Sequence, residues 1–317
     1  MSRLFRDVDG GSLYPQGSVV CIGAFDGLHL GHRALVRHAV ARARSLGLSA
    51  VALSFEPLPR EFFAAGVAPP RLMLPRARIE GLRDLGADGI GLLRFDARMA
   101  TMSAENFVRD VLAGRLGARE VWVGPEFRFG HKRGGDIATL HRLGSHLGFE
   151  AGEIAPVALD GERVSSTRIR NALREGDFAL AARLLGRPYS IGGHVVRGKR
   201  LGRTLGFPTA NLRFGGKTPP FAGIHAVWVH GVGAAPLAGV SSFGTRPTVD
   251  GVEPLLEAHL FDFDGDLYGR RIEVEFVAKL RDEEKFPDLA AMVAQIHRDA
   301  AQARAILQRQ EKQQAYA

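Results

Sequence analysis

Along the first half of the chain, short apolar runs alternate with stretches whose apolar residues recur at helical spacing. Runs at 18–25, 50–55, 89–95, 120–124 and 149–157 predict strands, and the stretches at 32–46 and 103–116 predict helices. In the second of these helices Ser103 stands where it can cap, and Phe107, Val108, Val111, Leu112 and Leu116 keep to one face. Strands alternating with helices specify βαβ units and a parallel sheet, whose ligands bind beyond the carboxyl ends of the strands. Two further helices, at 168–173 and 178–185, precede a break at Gly186-Arg187-Pro188.

Beyond that break the texture changes. Apolar runs at 190–196, 223–232, 237–242, 255–263 and 271–280 are bounded by Gly, Pro and Asp with no helical stretch between them, which predicts an antiparallel sheet or small barrel. A last helix from 289 to about 307 places Met292, Val293, Ile296, Ile306 and Leu307 near one face. A length of 317 residues accommodates two domains, and the change of periodicity divides them as 1–186 and 187–317.

Composition narrows the class. With 45% hydrophobic and 24% charged residues, each half can bury a core. The N-terminus lacks an apolar signal-like core, and no run of 18 apolar residues occurs, so the expectation is a cytoplasmic protein with no membrane partner. Cys21 is the single cysteine, which excludes an intrachain disulfide and a cysteine zinc site; its place in the run Val19-Val20-Cys21-Ile22 is that of a buried strand residue. The net charge of +8 comes from scattered arginines rather than from a basic run, a pattern suited to small phosphorylated ligands and not to nucleic acid. None of this sets an oligomeric state.

Two glycine-punctuated segments carry the chemistry. The first, GAFDGLHLGH at 23–32, leads from a strand into a helix and so aims backbone N–H groups at an anion. Gly23, Phe25, Asp26, Gly27 and Gly31 shape this nucleotide-binding turn, while His29 and His32, at i and i+3, can face one phosphate. A two-histidine metal site or a pair of surface histidines would produce the same spacing. No Gly-Lys-Ser/Thr follows, so the segment is not a Walker loop. Ser165, Ser166, Thr167 and Arg168 open a helix and can either cap it or hold phosphate oxygens. Glu126, Phe127, Arg128 and Asp136 add charged and aromatic candidates near a strand end, and the phenylalanines are equally suited to a core.

The second segment, GKRLGRTLGFPTAN at 198–211, is a basic glycine loop. Gly198, Lys199, Gly202, Gly206 and Pro208 can wrap a polyphosphate, and the Thr209 hydroxyl and Asn211 carbonyl offer hard oxygens to a cation such as Mg²⁺. Farther on, Glu257 sits in a strand with apolar neighbours at alternate positions, where an acid is either paired structurally or held in a site as a base.

The first segment resembles the His-x-Gly-His signature of the nucleotidyltransferase superfamily, in which the histidines stabilise charge on the α-phosphate of ATP. Taken with FRFG at 127–130, GGD at 134–136 and SSTRIR at 165–170, it resembles the FAD synthetase module of bacterial bifunctional riboflavin kinase/FMN adenylyltransferases. GFPTAN at 206–211 is similar to the riboflavin kinase signature, and GTRPT at 244–248 and DFDGDLYG at 262–269 fit the same family. The resemblance implies a Rossmann-like α/β nucleotidyltransferase domain followed by a β-barrel kinase domain with a C-terminal helix. It implies riboflavin, FMN, FAD and ATP as substrates or products, Mg²⁺ as cofactor, and Glu257 as the kinase's catalytic acid–base residue, with His29 and His32 serving adenylylation. Leu58 stands where many relatives have histidine, Glu126 where Asp or Asn is usual, and Ser242 where Asn is common. A riboflavin kinase with weak or lost adenylyltransferase activity is the alternative that the first two departures leave open. A cytidylyltransferase would have no use for GFPTAN with Glu257, and a basic RNA-binding protein would show salt-sensitive RNA binding without flavin turnover.

Overall fold

The computed structural model describes residues 2–66, 68–198, 202, 205–248 and 251–315. The chain divides into two compact units, one made of Met1–Pro69 with Pro75–Ser166, the other of Pro70–Leu74 with Thr167–Ala317.

In the first unit, β1 (Arg3–Phe5), β2 (Ser18–Ile22), β3 (Ser49–Glu56), β4 (Gly89–Arg94), β5 (Ala118–Val123) and β6 (Glu150–Glu153) form a sheet of order β1-β4-β3-β2-β5-β6. Every neighbouring pair is parallel, as the alternating pattern predicts. Each residue of β2 is buried, which is what a strand covered on both faces requires of a run such as Val19-Val20-Cys21-Ile22. The strand expected over 18–25 stops at Ile22 because Phe25 turns left-handed at φ 50°, and the one expected over 149–157 contracts to β6.

Helix α1 (Leu30–Leu46) packs on β2 and β3. Two short helices, α2 (Pro59–Phe62) and α4 (Ala97–Thr101), lie on either side of α3 (Pro75–Asp84) in sequence. Ser103 does cap, its Oγ accepting the Asn106 N–H at 3.1 Å, yet α5 (Ala104–Asn106) runs straight into a π-helical stretch, Phe107–Arg115. There the Leu116 N–H reaches back five residues to the Val111 carbonyl at 2.9 Å. The wider turn still buries Phe107, Val108, Val111 and Leu112 in the core beside Val121 and Phe149, so the apolar pattern reports the buried face without reporting the helix type. The helix α6 (Ile137–Leu147) and the small hairpin β7 (Ala158–Leu159) with β8 (Glu162–Arg163) complete the unit.

In the second unit, α7 (Ser166–Glu175) and α8 (Phe178–Leu185) lead into β9 (Ser190–His194), β10 (Ala210–Arg213), β11 (Gly223–His230), β12 (Leu237–Thr248), β13 (Gly251–Leu260) and β14 (Arg271–Arg281). The sheet order is β10-β13-β12-β11-β14-β9, antiparallel throughout. A bridge between Val196 and Asn211 brings its two edges together into a near-barrel. The last helix, α9 (Leu289–Ala315), sets Ala303 and Leu307 against Ala226, Val240 and Phe261. It is locked to β14 by the buried Asp299, which takes Arg281 Nε and Nη2 at 3.0 and 2.8 Å.

The barrel interior holds a polar pair. His225 and Ser241 face each other across β11 and β12, both almost fully buried, and the Ser241 Oγ has no hydrogen-bond partner among the described residues. Phe221, Phe276 and Phe178 surround the imidazole at centroid distances of 4.9, 5.4 and 5.6 Å.

Burial, with a smaller contribution from Lys279, pushes the His225 pKa from 6.5 down to about 3. An unfolded chain takes up this proton below pH 6.5 and the folded chain does not, so the stability contribution is complete above pH 6.5 and drains away as the pH falls toward 3. At pH 5 the loss should be roughly 2 kcal/mol, and His225→Phe should remove it. Urea unfolding followed through Trp228 in a Trp122→Phe background measures this; an unchanged pH dependence in His225→Phe would refute it.

Candidate active sites

The first site begins where β2 ends. Gly23 still joins the sheet through its N–H to the Leu53 carbonyl at 3.1 Å, after which Phe25, Gly27 and Leu28 all take positive φ, 50°, 89° and 47°. A left-handed non-glycine residue is strained by about 1 kcal/mol, and here burial of the Phe25 and Leu28 side chains holds the conformation in place. The turn delivers His29 as the N-cap of α1, its Nδ1 accepting the His32 N–H at 3.3 Å. In its neutral form His29 therefore carries its proton on Nε2. The two imidazoles stack at 3.6 Å with planes 18° apart, and Phe25 meets His32 edge-on at 5.4 Å. Gly31, in the first turn of α1, lets His29 lie against its backbone, where a β-carbon would stand 3.2 Å from the ring.

Desolvation first, then the neighbouring His29 and Arg78, hold the His32 pKa well below 6.5, and its Nδ1 is enclosed with no hydrogen-bond partner among the described residues. Arg78, on α3, is completely buried. Its Nη1 donates to the Ala24 carbonyl at 2.9 Å, and its Nη2 donates to the Phe55 carbonyl at 3.0 Å and to Glu56 Oε2 at 2.6 Å. One guanidinium thus ties the turn after β2 to the end of β3. The sequence signal for it is an arginine one helical turn before Leu82 on the buried face of α3.

The partner segment splits between the units. Ser166 opens α7 and donates its Oγ to the carbonyl of the buried Asp26 at 3.0 Å, with Ser165 immediately before it. Thr167 and Arg168 follow in the first turn of α7 and group with the second unit. The other candidates have local partners. Glu126, at φ 61°, accepts from Arg163 at 2.8 Å; Arg128 pairs with Asp136 at 2.9 Å; and Asp136 caps α6 through the Thr139 N–H, which with the Thr139 hydroxyl and Arg128 lowers its pKa. Phe127 stacks on the core residue Phe129 at 5.5 Å. Leu58 is buried at the head of α2, and its N–H donates to Glu61.

The second site is a cavity of about 310 Å³ in the second unit, where Gly198, Pro208, Thr209 and Asn211 meet the 263–268 loop with Asp264 and Asp266. Gly202 closes a turn by accepting the Phe207 N–H at 2.8 Å, Gly206 takes φ 83°, and neither lines the cavity; Lys199 lies outside the described residues. Asn211 is buried. Its Nδ2 donates to the Thr209 carbonyl at 3.2 Å, while its Oδ1 has no hydrogen-bond partner among the described residues. Gly198 permits the fit, because a β-carbon there would stand 2.9 Å from the Asn211 amide. Glu257 does not line the cavity but pairs in register with Asn211 on β10 and Ser242 on β12, so the three share one row and one face. Ser242 donates to Glu283 at 3.3 Å. The loop acids Asp264 and Asp266 are wall residues that motif spacing alone does not single out.

The unpartnered, buried Asn211 Oδ1 beside Thr209 fits a hard cation. Among the described residues no group of three or more His, Cys, Asp or Glu side chains could hold a metal, so such a cation would draw most of its ligands from a bound phosphate or from water.

Comparison with known proteins identifies the family of the chain. Sequence models of the families described as FAD synthetase and riboflavin kinase match residues 12–168 and 185–307. The chain is 43% identical over 303 residues to the bifunctional riboflavin kinase/FMN adenylyltransferase of Escherichia coli (strain K12), covering 95% of this chain and 97% of that one. It is 44% identical over 292 residues to the enzyme of the same description from Pseudomonas fluorescens, covering 92% and 93%. A crystal structure described as a macrolide-efflux protein from Streptococcus pneumoniae superposes with TM-score 0.77 at 30% identity, over 94% of this chain and 97% of that one. In this chain no helix among the described residues is long and apolar enough to cross a membrane.

Arg78→Met would strip the donor from Glu56 and from the Ala24 and Phe55 carbonyls together. The expected destabilisation of the first unit is about 3 kcal/mol, with Arg78→Lys intermediate. Calorimetry should show the first unit's transition moving down alone; an unshifted transition in Arg78→Met would contradict the pinning role.

Proposed function

Because the chain belongs to the family of bifunctional riboflavin kinase/FMN adenylyltransferases, we propose that its two reactions are divided between the histidine turn and the row formed by Asn211, Glu257 and Ser242. The enzyme phosphorylates riboflavin with ATP to FMN and adenylylates FMN with ATP to FAD and pyrophosphate.

In the kinase step Glu257 takes the proton of the ribityl 5′-hydroxyl as that oxygen attacks the γ-phosphorus of ATP; the bond from that phosphorus to the β,γ-bridging oxygen breaks and ADP leaves. Thr209 and Asn211 orient the polyphosphate from the adjoining strand edge, with Gly198, Gly202, Gly206, Lys199 and Pro208 forming the loop around it. Mg²⁺, held by Thr209 and Asn211, would supply charge neutralisation for the phosphates. Catalysis of this kind is mostly positioning and electrostatics. The observation that carries the assignment is the register pairing of Asn211 with Glu257, which sets base and phosphate loop side by side.

In the second step the FMN phosphate attacks the α-phosphorus of ATP directly and pyrophosphate leaves, with no covalent enzyme intermediate. His29 and His32 donate to the developing charge, and Ser165, Ser166, Thr167 and Arg168 hold phosphate oxygens. Two stacked imidazoles, with the buried Arg78 guanidinium adding its charge at His32, can donate to an anion, which supports this role. Glu126, Phe127, Arg128 and Asp136 frame the adenylylation site without entering the chemistry. Consumption of ATP in both steps suits a cytoplasmic enzyme.

Glu257→Gln should abolish FMN formation while leaving FMN-to-FAD conversion, and His29→Ala or His32→Ala should lower adenylylation on the order of 10²- to 10³-fold while leaving the kinase. Chromatographic separation of flavins after incubation with MgATP reads both; near wild-type phosphorylation by Glu257→Gln would overturn the base assignment. Separability is a second test. A fragment from Gly186 retains every proposed kinase residue, and one from Thr167 also retains Phe178, stacked 5.9 Å from Phe276. Both should make FMN and no FAD, the longer one unfolding at higher urea. A folded Thr167 fragment without kinase activity would show that residues 1–166 contribute to that site.

A further inference from the structure

Glu257 is not the only polar side chain that β13 turns toward the phosphate loop. Two residues farther along, on the same face, His259 Nδ1 lies 2.9 Å from the Pro208 carbonyl oxygen. A carbonyl only accepts, so Nδ1 carries the proton and a neutral His259 is the Nδ1–H tautomer. Pro208 directly precedes Thr209, and both line the cavity. Its ring removes the N–H through which a strand could otherwise hold it.

The neighbouring Phe207 is gripped from two sides. It meets His259 edge-on at 5.1 Å and His297 of α9 at 4.9 Å. The segment between Gly206 and Ala210 lies outside regular structure, yet it must present Thr209 at a fixed place beside the strand-held Asn211 and Glu257 if all three act on one phosphate.

We propose that His259 is a positioning residue of the kinase reaction, whose Nδ1–H, bonded to the Pro208 carbonyl, sets the place of Thr209 relative to Glu257 and to the strand-held Asn211. One strand then carries both the base and the anchor of the loop. Residues i and i+2 of a strand are about 6.8 Å apart, so the spacing between base and loop is set by strand geometry and not by a flexible segment. The role rests on the assignment of Glu257, Thr209 and Asn211 to phosphoryl transfer.

Two substitutions separate the hydrogen bond from the packing. His259→Phe keeps a ring against Phe207 and removes the donor; His259→Asn places an Nδ2–H close to the original Nδ1–H and removes the ring. Riboflavin phosphorylation is measured against MgATP concentration, with FMN adenylylation by the same full-length preparation as the control of folding. The KM for MgATP should rise about fivefold in His259→Phe, the equivalent of one hydrogen bond, with kcat changed less than about twofold. His259→Asn should stay within about twofold of the wild type, and adenylylation should be unchanged in both. An unaltered KM in His259→Phe, equal impairment of the two variants, or parallel loss of adenylylation would each overturn the proposal. A silent His259→Phe in an enzyme that Glu257→Gln inactivates would sink the positioning role and leave the site assignment standing.

Discussion

The register of β13 is the constraint on which the second site depends. Its pairing with β10 places Glu257 opposite Asn211, and its pairing with β12 places the same residue opposite Ser242. A slip of one residue would send Glu257 to the barrel interior, where Leu256 and Ala258 now lie, and bring an apolar side chain beside the phosphate loop. The buried set Leu256, Ala258 and Leu260 therefore does more than contribute to the core. By occupying the interior it holds the acid on the other face.

The first unit solves a different problem. A tight turn with three residues at positive φ has to be kept in shape at the carboxyl end of a parallel strand, and the means are the buried side chains of Phe25 and Leu28 together with the Arg78 guanidinium. Arg78 satisfies carbonyls at the ends of two adjacent strands while its charge acts against protonation of His32. Structure and electrostatics are coupled there, since the group that holds the turn also disposes the site toward an anion.

What the sequence makes legible follows from which interactions are local. Strand–helix alternation, the later β-only texture and the i, i+3 histidines all depend on spacing along the chain, and the parallel sheet, the antiparallel near-barrel and the stacked pair are found. Position 257 could be placed on a polar face by alternation, but its neighbours could not, because Asn211 and Ser242 arrive by tertiary register. The π-helical turn at Phe107–Arg115 escapes for a related reason: burial spacing there is nearly the same for either helix type. Arg78 reads as a surface cation until the strand ends that need its donors are known. Conversely, Arg128 and Asp136 carry chemistry-bearing side chains and pair with each other.

The two sites also differ in the sign of what they lack. Among the described residues, the second cavity is rich in acceptors, with Asp264, Asp266 and the unpartnered Asn211 Oδ1 at its wall and Glu257 in the adjoining row. On the proposed assignment these acceptors suit a polyphosphate that arrives with a hard cation. The first site, on the same assignment, offers donors, the two imidazoles and the N-terminal amides of α1, with the fully buried Arg78 adding positive charge behind them. On the proposed assignment, then, the terminal phosphate is transferred beside an acceptor-rich wall, whereas the α-phosphate attacked by FMN is met by the protein's own hydrogen-bond donors. That contrast suits the chemistry. The kinase has to bring a neutral alcohol and a base up to a highly charged phosphate, and the adenylyltransferase has to let one phosphate approach another.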